Sequence, residues 1–331
     1  MPAFHRHTNT VIPILVGTAF FFLTGPLSLL AVELNRPVTW QADDPDGWRL
    51  MDRGAPAGEA GDLSDDFTFA DGAMEWDVPD EDSGNGARYW VEADLDASDG
   101  AFTGDYFDAG VMDLEFELYA DAPGTVTVEL FRPDTLLGYE ATTPVETGWQ
   151  TVRLPLASSS FSRITPGGQG PMREVMEGVD LVSFGAAPAN GEGSLFRIRN
   201  VMLTGAGGGY ASWIEPYTEK IEEADADEWL PAADVNEDGS RNGEEYIAGT
   251  DPTRSEDRLE ARLKNDPLQL TWETKEGRLY TVWRADTPDA PYENLTPGEP
   301  VVGDGATHTM PLSDFSERLH AVYHIRVTLP Q

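Results

Sequence analysis

Cysteine is absent from all 331 residues, so no disulfide braces the fold and no lipoprotein linkage is open to the chain. Lysine is almost missing too, occurring only at Lys220, Lys264 and Lys275. Histidine is scarce, and beyond the N-terminal segment only His308, His320 and His324 remain. None of them stands near a Ser or Asp in a nucleophile motif, and the sequence holds no Gly-x-Ser-x-Gly, no Gly-rich phosphate loop and no His-Glu-x-x-His. The chain therefore reads as non-catalytic. Glycosidase-type carboxylate pairs stay open, because 59 acidic residues offer many chance pairs.

Positive charge of any kind is thin. Twenty-two Lys and Arg face 59 Asp and Glu, for a net charge of −37. Such a surface repels nucleic acid and anionic lipid head groups, which removes both as partners. A saline habitat, where screening makes the charge tolerable, and a GC-rich genome favouring Asp, Arg, Gly and Pro codons both account for it.

The longest uncharged stretch lies at the N-terminus, from Thr8 to Val32, behind His5, Arg6 and His7. Val11–Val16 and Ala19–Leu23 are apolar, and a Gly25-Pro26 break precedes Leu29-Leu30-Ala31. Basic, apolar and small-residue regions in that order describe a signal peptide over residues 1–31, cut near Ala31. An uncleaved membrane anchor is the competing reading. Pro13, Gly25 and Pro26 weigh against the continuous helix it needs. Either way the expected location is extracellular or in the cell envelope, with membrane contact only if the segment is retained.

Residues 36–205 carry short β-type runs separated by Gly, Pro, Asp and Asn. In Val111–Tyr119, Met112, Leu114, Phe116 and Leu118 alternate with Val111, Asp113, Glu115 and Glu117. Thr125–Phe131, Trp149–Leu156, Val179–Phe184 and Leu195–Leu203 repeat the habit. Period-two alternation with turn residues about every ten positions predicts an antiparallel β-sandwich that folds by itself. The glycine-rich run Gly205–Gly209 reads as a hinge. A short helix follows over Tyr210–Ile221, on the spacing of Trp213, Ile214 and Tyr217. Hinge, helix and the loop described next make a unit over 206–253. A polar connector, Thr253–Asp266, leads to a small antiparallel β domain over 266–331. The fold class is mainly β.

The segment Asp234–Glu245 carries the sharpest chemistry. Asp234, Asn236, Asp238, Asn242 and Glu245 fall at loop positions 1, 3, 5, 9 and 12, with Gly239 at position 6. Calcium is a hard ion that takes six to eight oxygens, and a twelve-residue loop can wrap to supply them. Ser240 adds its backbone carbonyl at position 7, Glu245 closes the shell with both oxygens, and Gly239 makes the sharp turn. Three formal ligand charges predict weak affinity, about 10⁻⁴–10⁻³ M, suited to a structural staple rather than a sensor.

Asp238 to Pro252, reading DGSRNGEEYIAGTDP, resembles the bacterial thrombospondin type 3-like calcium repeats. The resemblance implies that Asp234, Asn236, Asp238, Asn242 and Glu245 are the ligands. The chain departs from that pattern in having Asn236 where Asp is commoner, and in lacking a tandem array. The start of the loop is similar to dockerin modules as well, but a dockerin needs two loops and one complete loop is present, so no cohesin partner is expected. Leu270-Thr-Trp272, Arg278-Leu-Tyr-Thr-Val282 and Tyr323-His-Ile-Arg-Val327 resemble a small β module of secreted planctomycete and verrucomicrobial proteins. Residues 36–205 resemble the galactose-binding, jelly-roll type of carbohydrate-binding module, through Gly148–Val152 and Phe196–Leu203.

Sugar rings stack on exposed aromatic faces, which makes Trp40, Trp48, Trp76, Tyr89 and Trp90 candidate glycan-stacking residues. The alternative is that they fill the sandwich core. Trp149, in a strand with Val152 and Leu154, reads as a core or edge anchor. Two functions are carried forward: a module binding polysaccharide or cell-surface glycan on a calcium-stapled scaffold, and a structural or adhesive envelope protein without a glycan ligand. A polysaccharide-processing enzyme ranks below both. The signal reading has a direct check: mass spectrometry of the exported protein should find a mature N-terminus close to Val32, and an intact N-terminus in membrane fractions would establish the anchor instead.

Overall fold

The computed structural model describes residues 32–40, 44–53, 61–63, 68–78, 88–164, 168–189, 193–221, 224–265, 267–287, 290–312 and 321–330. The N-terminal segment 1–31 and His320 lie outside them. In chain order the strands of the first part are β1 (Arg49–Asp52), β2 (Thr68–Ala70), β3 (Ala73–Val78), β4 (Tyr89–Ala93), β5 (Val111–Ala120) and β6 (Gly124–Arg132). They continue as β7 (Leu137–Val145), β8 (Gly148–Pro155), β9 (Ser162–Arg163), β10 (Leu181–Pro188) and β11 (Ser194–Gly205). They form two antiparallel sheets, one ordered β1-β4-β10-β6-β7-β9 and the other β2-β3-β11-β5-β8. The expected sandwich is present.

Alternation decides which face each strand buries. In β5, Leu114, Phe116 and Leu118 are buried in the core, while Asp113, Glu115, Glu117 and Tyr119 point outward. Val126, Val128 and Leu130 of β6, Val182 and Phe184 of β10, and Phe196 and Ile198 of β11 meet them from both sheets. A short helix, α1 (Met172–Met176), packs Met172, Val175 and Met176 into the same core.

The glycine-rich run departs from the expected hinge. Gly205 lies so near the Gly110 carbonyl that a Cβ would sit 2.3 Å from its oxygen. The Ala206 amide donates to that carbonyl at 2.8 Å, and Gly209, at φ 87°, opens helix α2 (Tyr210–Thr218) in the left-handed region only glycine enters freely. Tyr210 and Ile214 of that helix, with Trp229 and Leu230 beyond it, belong to the sandwich core, and the Tyr210 hydroxyl donates to the Trp229 carbonyl at 2.9 Å. Helix α3 (Asn242–Ala248) joins the sheet through an apolar cluster of Met112, Ala157, Ala206 and Ala232 against Tyr246 and Ile247. The unit 206–253 is thus packed on the sandwich rather than tethered to it.

The C-terminal part is β, as expected. β12 (Ala261–Asn265), β13 (Leu268–Glu273) and β17 (Thr307–Pro311) make one small sheet. β14 (Leu279–Ala285), β15 (Glu293–Asn294), β16 (Val301–Val302) and β18 (Val322–Thr328) make another. Leu270, Trp272, Tyr280, Val282 and Leu312 form their separate core. Arg278 reaches across to the Tyr246 carbonyl at 2.9 Å, and Lys275 to Asp257 at 2.6 Å.

A fragment ending at residue 205 should therefore lose cooperativity, since Tyr210 and Trp229 each contribute aromatic burial of about 3–5 kcal/mol. A fragment spanning 32–253 should melt cooperatively. Circular dichroism melts of both check this, and equal melts would restore the hinge.

Candidate functional site

Loop Asp234–Glu245 runs from a short 3-10 turn, Ala226–Trp229, into α3. Its carboxylates gather backbone amides. Asp234 Oδ2 accepts from the Gly239 amide at 2.8 Å and Oδ1 from the Asp238 amide at 3.2 Å. Asn236 Oδ1 accepts from the Asp238 amide at 3.0 Å, and Asp238 Oδ1 from Ser240 at 2.8 Å. Gly239, at φ 93°, makes the turn that position 6 requires.

Two carboxylate oxygens do not share in this. Asp238 Oδ2 and Glu245 Oε2 are buried without a hydrogen-bond partner. Glu245 is 1% exposed, and its other oxygen receives only the long contacts of Asn236 Nδ2 and Thr250 Oγ1, both 3.4 Å. Burial, then the charges of Asp238 and Asp234, push its carboxyl up to about 8. Among the described residues no three His, Cys, Asp or Glu side chains are gathered as a metal cluster. The donor set here is mixed, with carboxylates, the Asn236 amide and a backbone carbonyl, which is the hard-oxygen set calcium takes. Two orphaned buried oxygens in an acidic loop fit a cation of that kind.

Asn242 corrects the ligand set. It is fully buried; its Nδ2 donates to the carbonyls of Glu228 at 2.8 Å and Leu230 at 3.0 Å, and its Oδ1 accepts from the Val235 amide at 3.3 Å. Position 9 therefore pins the loop to the preceding turn, because every polar atom of the amide is spent on backbone. Asp234, Asn236, Asp238 and Glu245 remain, with the carbonyl of Ser240.

Sequence reasoning missed how the loop is fastened. Arg241 Nη1 donates to Asp113 Oδ1 at 2.8 Å and Oδ2 at 3.0 Å, and Arg153 of β8 reaches the same carboxylate at 2.6 Å. Asp113 is 1% exposed although it points away from the core. Its place on the polar face of β5 is legible in the alternation, but its burial under the loop is not.

The aromatic candidates divide. Trp40 packs edge-on against Trp48 at 5.2 Å, Trp48 donates its Nε1 to Ser98 Oγ at 2.9 Å, and Trp76 stacks on Phe196 at 6.0 Å. All three are buried in the core and present no face to a sugar; the large apolar gain of burying an indole puts them there, through an inward strand position for Trp76 and through the segments before β1 for Trp40 and Trp48. Tyr89 borders the core, beneath the Arg88 guanidinium at 5.4 Å. Trp90 alone of the five points to the outer face of the six-stranded sheet, in register with Gly185, Thr127 and Thr142 on successive strands. The neighbouring row is Glu92, Ser183, Glu129 and Glu140.

Trp90, Glu92 and Ser183 are buried despite pointing outward, because the Arg53 side chain lies over them. The Arg53 guanidinium lies 4.1 Å from the Trp90 ring centre. It donates to Glu92 Oε1 at 2.8 Å and Ser183 Oγ at 2.9 Å, and pairs with Glu129. Burial is the leading influence on the Glu129 carboxyl and pushes it up. Trp149 departs from the expected anchor role: it is exposed, on the outer face of the other sheet. His308 packs on Trp272 at 4.7 Å, and His324 lies 6.2 Å from the Tyr292 ring.

The chain matches no protein-family profile and no curated protein. Among solved structures it is similar to one titled "CBM4 structure and function", at 15% identity and TM-score 0.31, over 53% of this chain and 99% of that one. It is similar also to the family 11 carbohydrate-binding module of a Clostridium thermocellum cellulosomal cellulase, at 15% identity and TM-score 0.29, over 52% and 90%. A third is the agarase AgWH50C, at 10% identity and TM-score 0.32, over 42% of this chain and 21% of that one. At such values the likeness assigns no residue and no ligand.

The Glu245 carboxyl titrates from a folded value near 8 against an ordinary 4.5, so between those limits the folded calcium-free protein holds a proton that the unfolded chain releases. Its melting temperature should fall as pH rises through that window. Saturating calcium should abolish the fall, because the bound ion takes the place of the proton. Calorimetry should show calcium binding in the wild type and its loss in Glu245→Gln. A calcium-free melting temperature that is flat or rising over the window, with no binding heat, would remove the site.

Proposed function

We propose that the protein is an exported, non-catalytic module that binds a polysaccharide or cell-surface glycan, with calcium in loop Asp234–Glu245 stapling its sandwich. The observation that carries the glycan part is the outer face of the six-stranded sheet around Trp90. There an indole stands beside Gly185, which has no side chain, and the short Thr127 and Thr142. Strands about 4.8 Å apart make this a strip about 14 Å long, with the guanidinium-capped indole at one end and hydroxyl and carboxylate groups along it. That mixture of one apolar face and fixed polar partners is what a sugar chain needs from a site. Arg53 spends N–H groups on Glu92, Glu129 and Ser183, which fixes its guanidinium and leaves its remaining Nη1 proton to a sugar hydroxyl.

Calcium has a structural part in this reading. When bound it neutralises the mutual repulsion of Asp234, Asp238 and Glu245 and closes the loop over α3. Binding to the folded state alone stabilises by about 2.7 kcal/mol when calcium stands a hundredfold above its dissociation constant.

A structural envelope protein is the second reading. The observation favouring it is the guanidinium cap on Trp90, which leaves the indole 6% exposed.

The full chain, presented to arrays of soluble polysaccharides, should bind at least one. Trp90→Ala and Arg53→Ala should each weaken that binding about tenfold or more, about 1.4 kcal/mol. Silence across the array would leave the structural reading in place.

A further inference from the structure

The opposite face of the sandwich carries a second arrangement of aromatic and paired charged groups. On the outer side of the five-stranded sheet, Glu75, Arg197, Tyr119 and Trp149 stand in one row across β3, β11, β5 and β8, set by the strand register. Arg199, Glu117 and Thr151 form the next row. Trp149 is 39% exposed and lies on β8, the edge strand of this sheet. The Arg199 guanidinium stacks on its ring 4.0 Å from the centre while donating to Glu117 Oε2 at 2.7 Å. Tyr119 lies 5.6 Å from Trp149, and its ring is overlaid by Arg197, which pairs with Glu75.

We propose that this row is a second glycan-binding platform, taking a single uncharged polysaccharide chain, and that one molecule bridges two chains by using both faces. The inference rests on the glycan-binding reading above. Three features set the ligand. An indole with one face occupied by Arg199 has its remaining surface free for the C–H face of a sugar ring. Guanidinium and carboxylate groups already fixed against each other offer donors and acceptors to hydroxyls at little further ordering cost. Each guanidinium has its own carboxylate, so the row offers no surplus positive charge, and a protein of net charge −37 repels an anionic chain.

Ring geometry narrows the class further. Trp149 and Tyr119 are inclined by 54°, so they follow a twisted, isolated chain and do not match a flat crystalline surface. Two faces on opposite sides of one sandwich cannot be served by the same short chain segment. Occupation of both therefore joins two chains and raises avidity beyond either site.

Electrophoresis of the full chain through gels holding β-glucan, mannan, agarose-derived galactan, alginate or pectin separates the outcomes, with light scattering of protein–polysaccharide mixtures reporting bridging. The expected result is retardation by a neutral polysaccharide with strong scattering. Trp149→Ala should keep retardation through the Trp90 face, weaken it about fivefold or more, and abolish the rise in scattering. Arg199→Ala, which frees the covered indole face, serves as a second variant, and circular dichroism of each checks the fold. Trp149→Ala that binds and bridges like the wild type overturns the inference and leaves the Trp90 reading standing. Trp149-dependent binding of alginate or pectin overturns the choice of an uncharged ligand. Binding that Trp149→Ala abolishes and Trp90→Ala leaves unchanged keeps the second platform and removes the first. Retardation in no gel removes both.

Discussion

Asp113 is the carboxylate on which the arrangement of the loop depends. It lies on the solvent side of a sheet, yet it is 1% exposed, and a charge so placed is costly unless it is paired and hydrogen-bonded. Arg153 from β8 and Arg241 from the loop Asp234–Glu245 supply that pairing, Arg241 reaching both carboxylate oxygens. Removing either arginine would leave the carboxylate with the other, and only loss of both would leave the buried charge uncompensated, which is why such a join is hard to break piecemeal. Arg241 also closes the start of α3, where its amide donates to Glu244 Oε2 at 2.9 Å. From that fixed point the first turn of α3 runs directly against the sheet. Gly243 is accommodated only because it lacks a side chain, since a Cβ there would stand 2.7 Å from Met112 Sδ.

Fastening the helix has a consequence for the proposed cation site. Glu245 sits one turn beyond Arg241, and its carboxylate is held in a dry position. Asn242 fixes the other side through two carbonyls of the preceding turn. The loop is thus preorganised at its C-terminal end, while its N-terminal carboxylates are turned onto backbone amides. Preorganisation lowers the ordering cost of binding, and the buried carboxyl raises the proton cost of the empty state. Both effects would make a loop filled by a cation, as proposed above, a stabilising element of the sandwich to which it is bolted.

Much of this was legible in the chain itself, and the parts that were not share a cause. Period-two alternation in Val111–Tyr119 identifies the inward Leu114, Phe116 and Leu118, because a strand's side chains have only two directions. The turn of the loop Asp234–Glu245 is legible for a similar reason: the glycine at position 6, Gly239, is a local geometric demand, met at φ 93°. Asn242 misled because its residue type suits both a ligand and a backbone pin, and only the neighbouring carbonyls of Glu228 and Leu230 decide between them. Trp40, Trp48 and Trp76 were indistinguishable from Trp90 by type; strand parity separates Trp76 from Trp90 only after the register is known, and Trp40 and Trp48 lie outside the strands, where no parity applies. Gly205–Gly209 reads as flexible in isolation, but the close approach to Gly110 uses its missing side chains for contact. In each case a long-range neighbour settles what the local pattern leaves open.

The scarcity of lysine belongs to the same account. Arginine recurs as a planar group lying on an aromatic ring while paired with a carboxylate: Arg53 on Trp90, Arg197 on Tyr119 and Arg199 on Trp149 on the two outer sheet faces, and Arg88 on Tyr89 at the border of the core. A guanidinium can stack and hold a carboxylate in its fork at once, as Arg88 does with both oxygens of Asp52 at 2.6 Å. An ammonium is a point charge without that planar fork. Lys220 pairs with Asp251 and lies 4.2 Å from the Tyr217 ring centre, and Lys275 pairs with Asp257, each through a single nitrogen. With only 22 basic residues against 59 acidic ones, cations placed on the sheet faces are committed to orienting rings and carboxylates rather than to neutralising the surface. Faces built this way are rich in fixed hydrogen-bonding groups and poor in free positive charge, which favours a hydroxylated, uncharged partner over an ionic one.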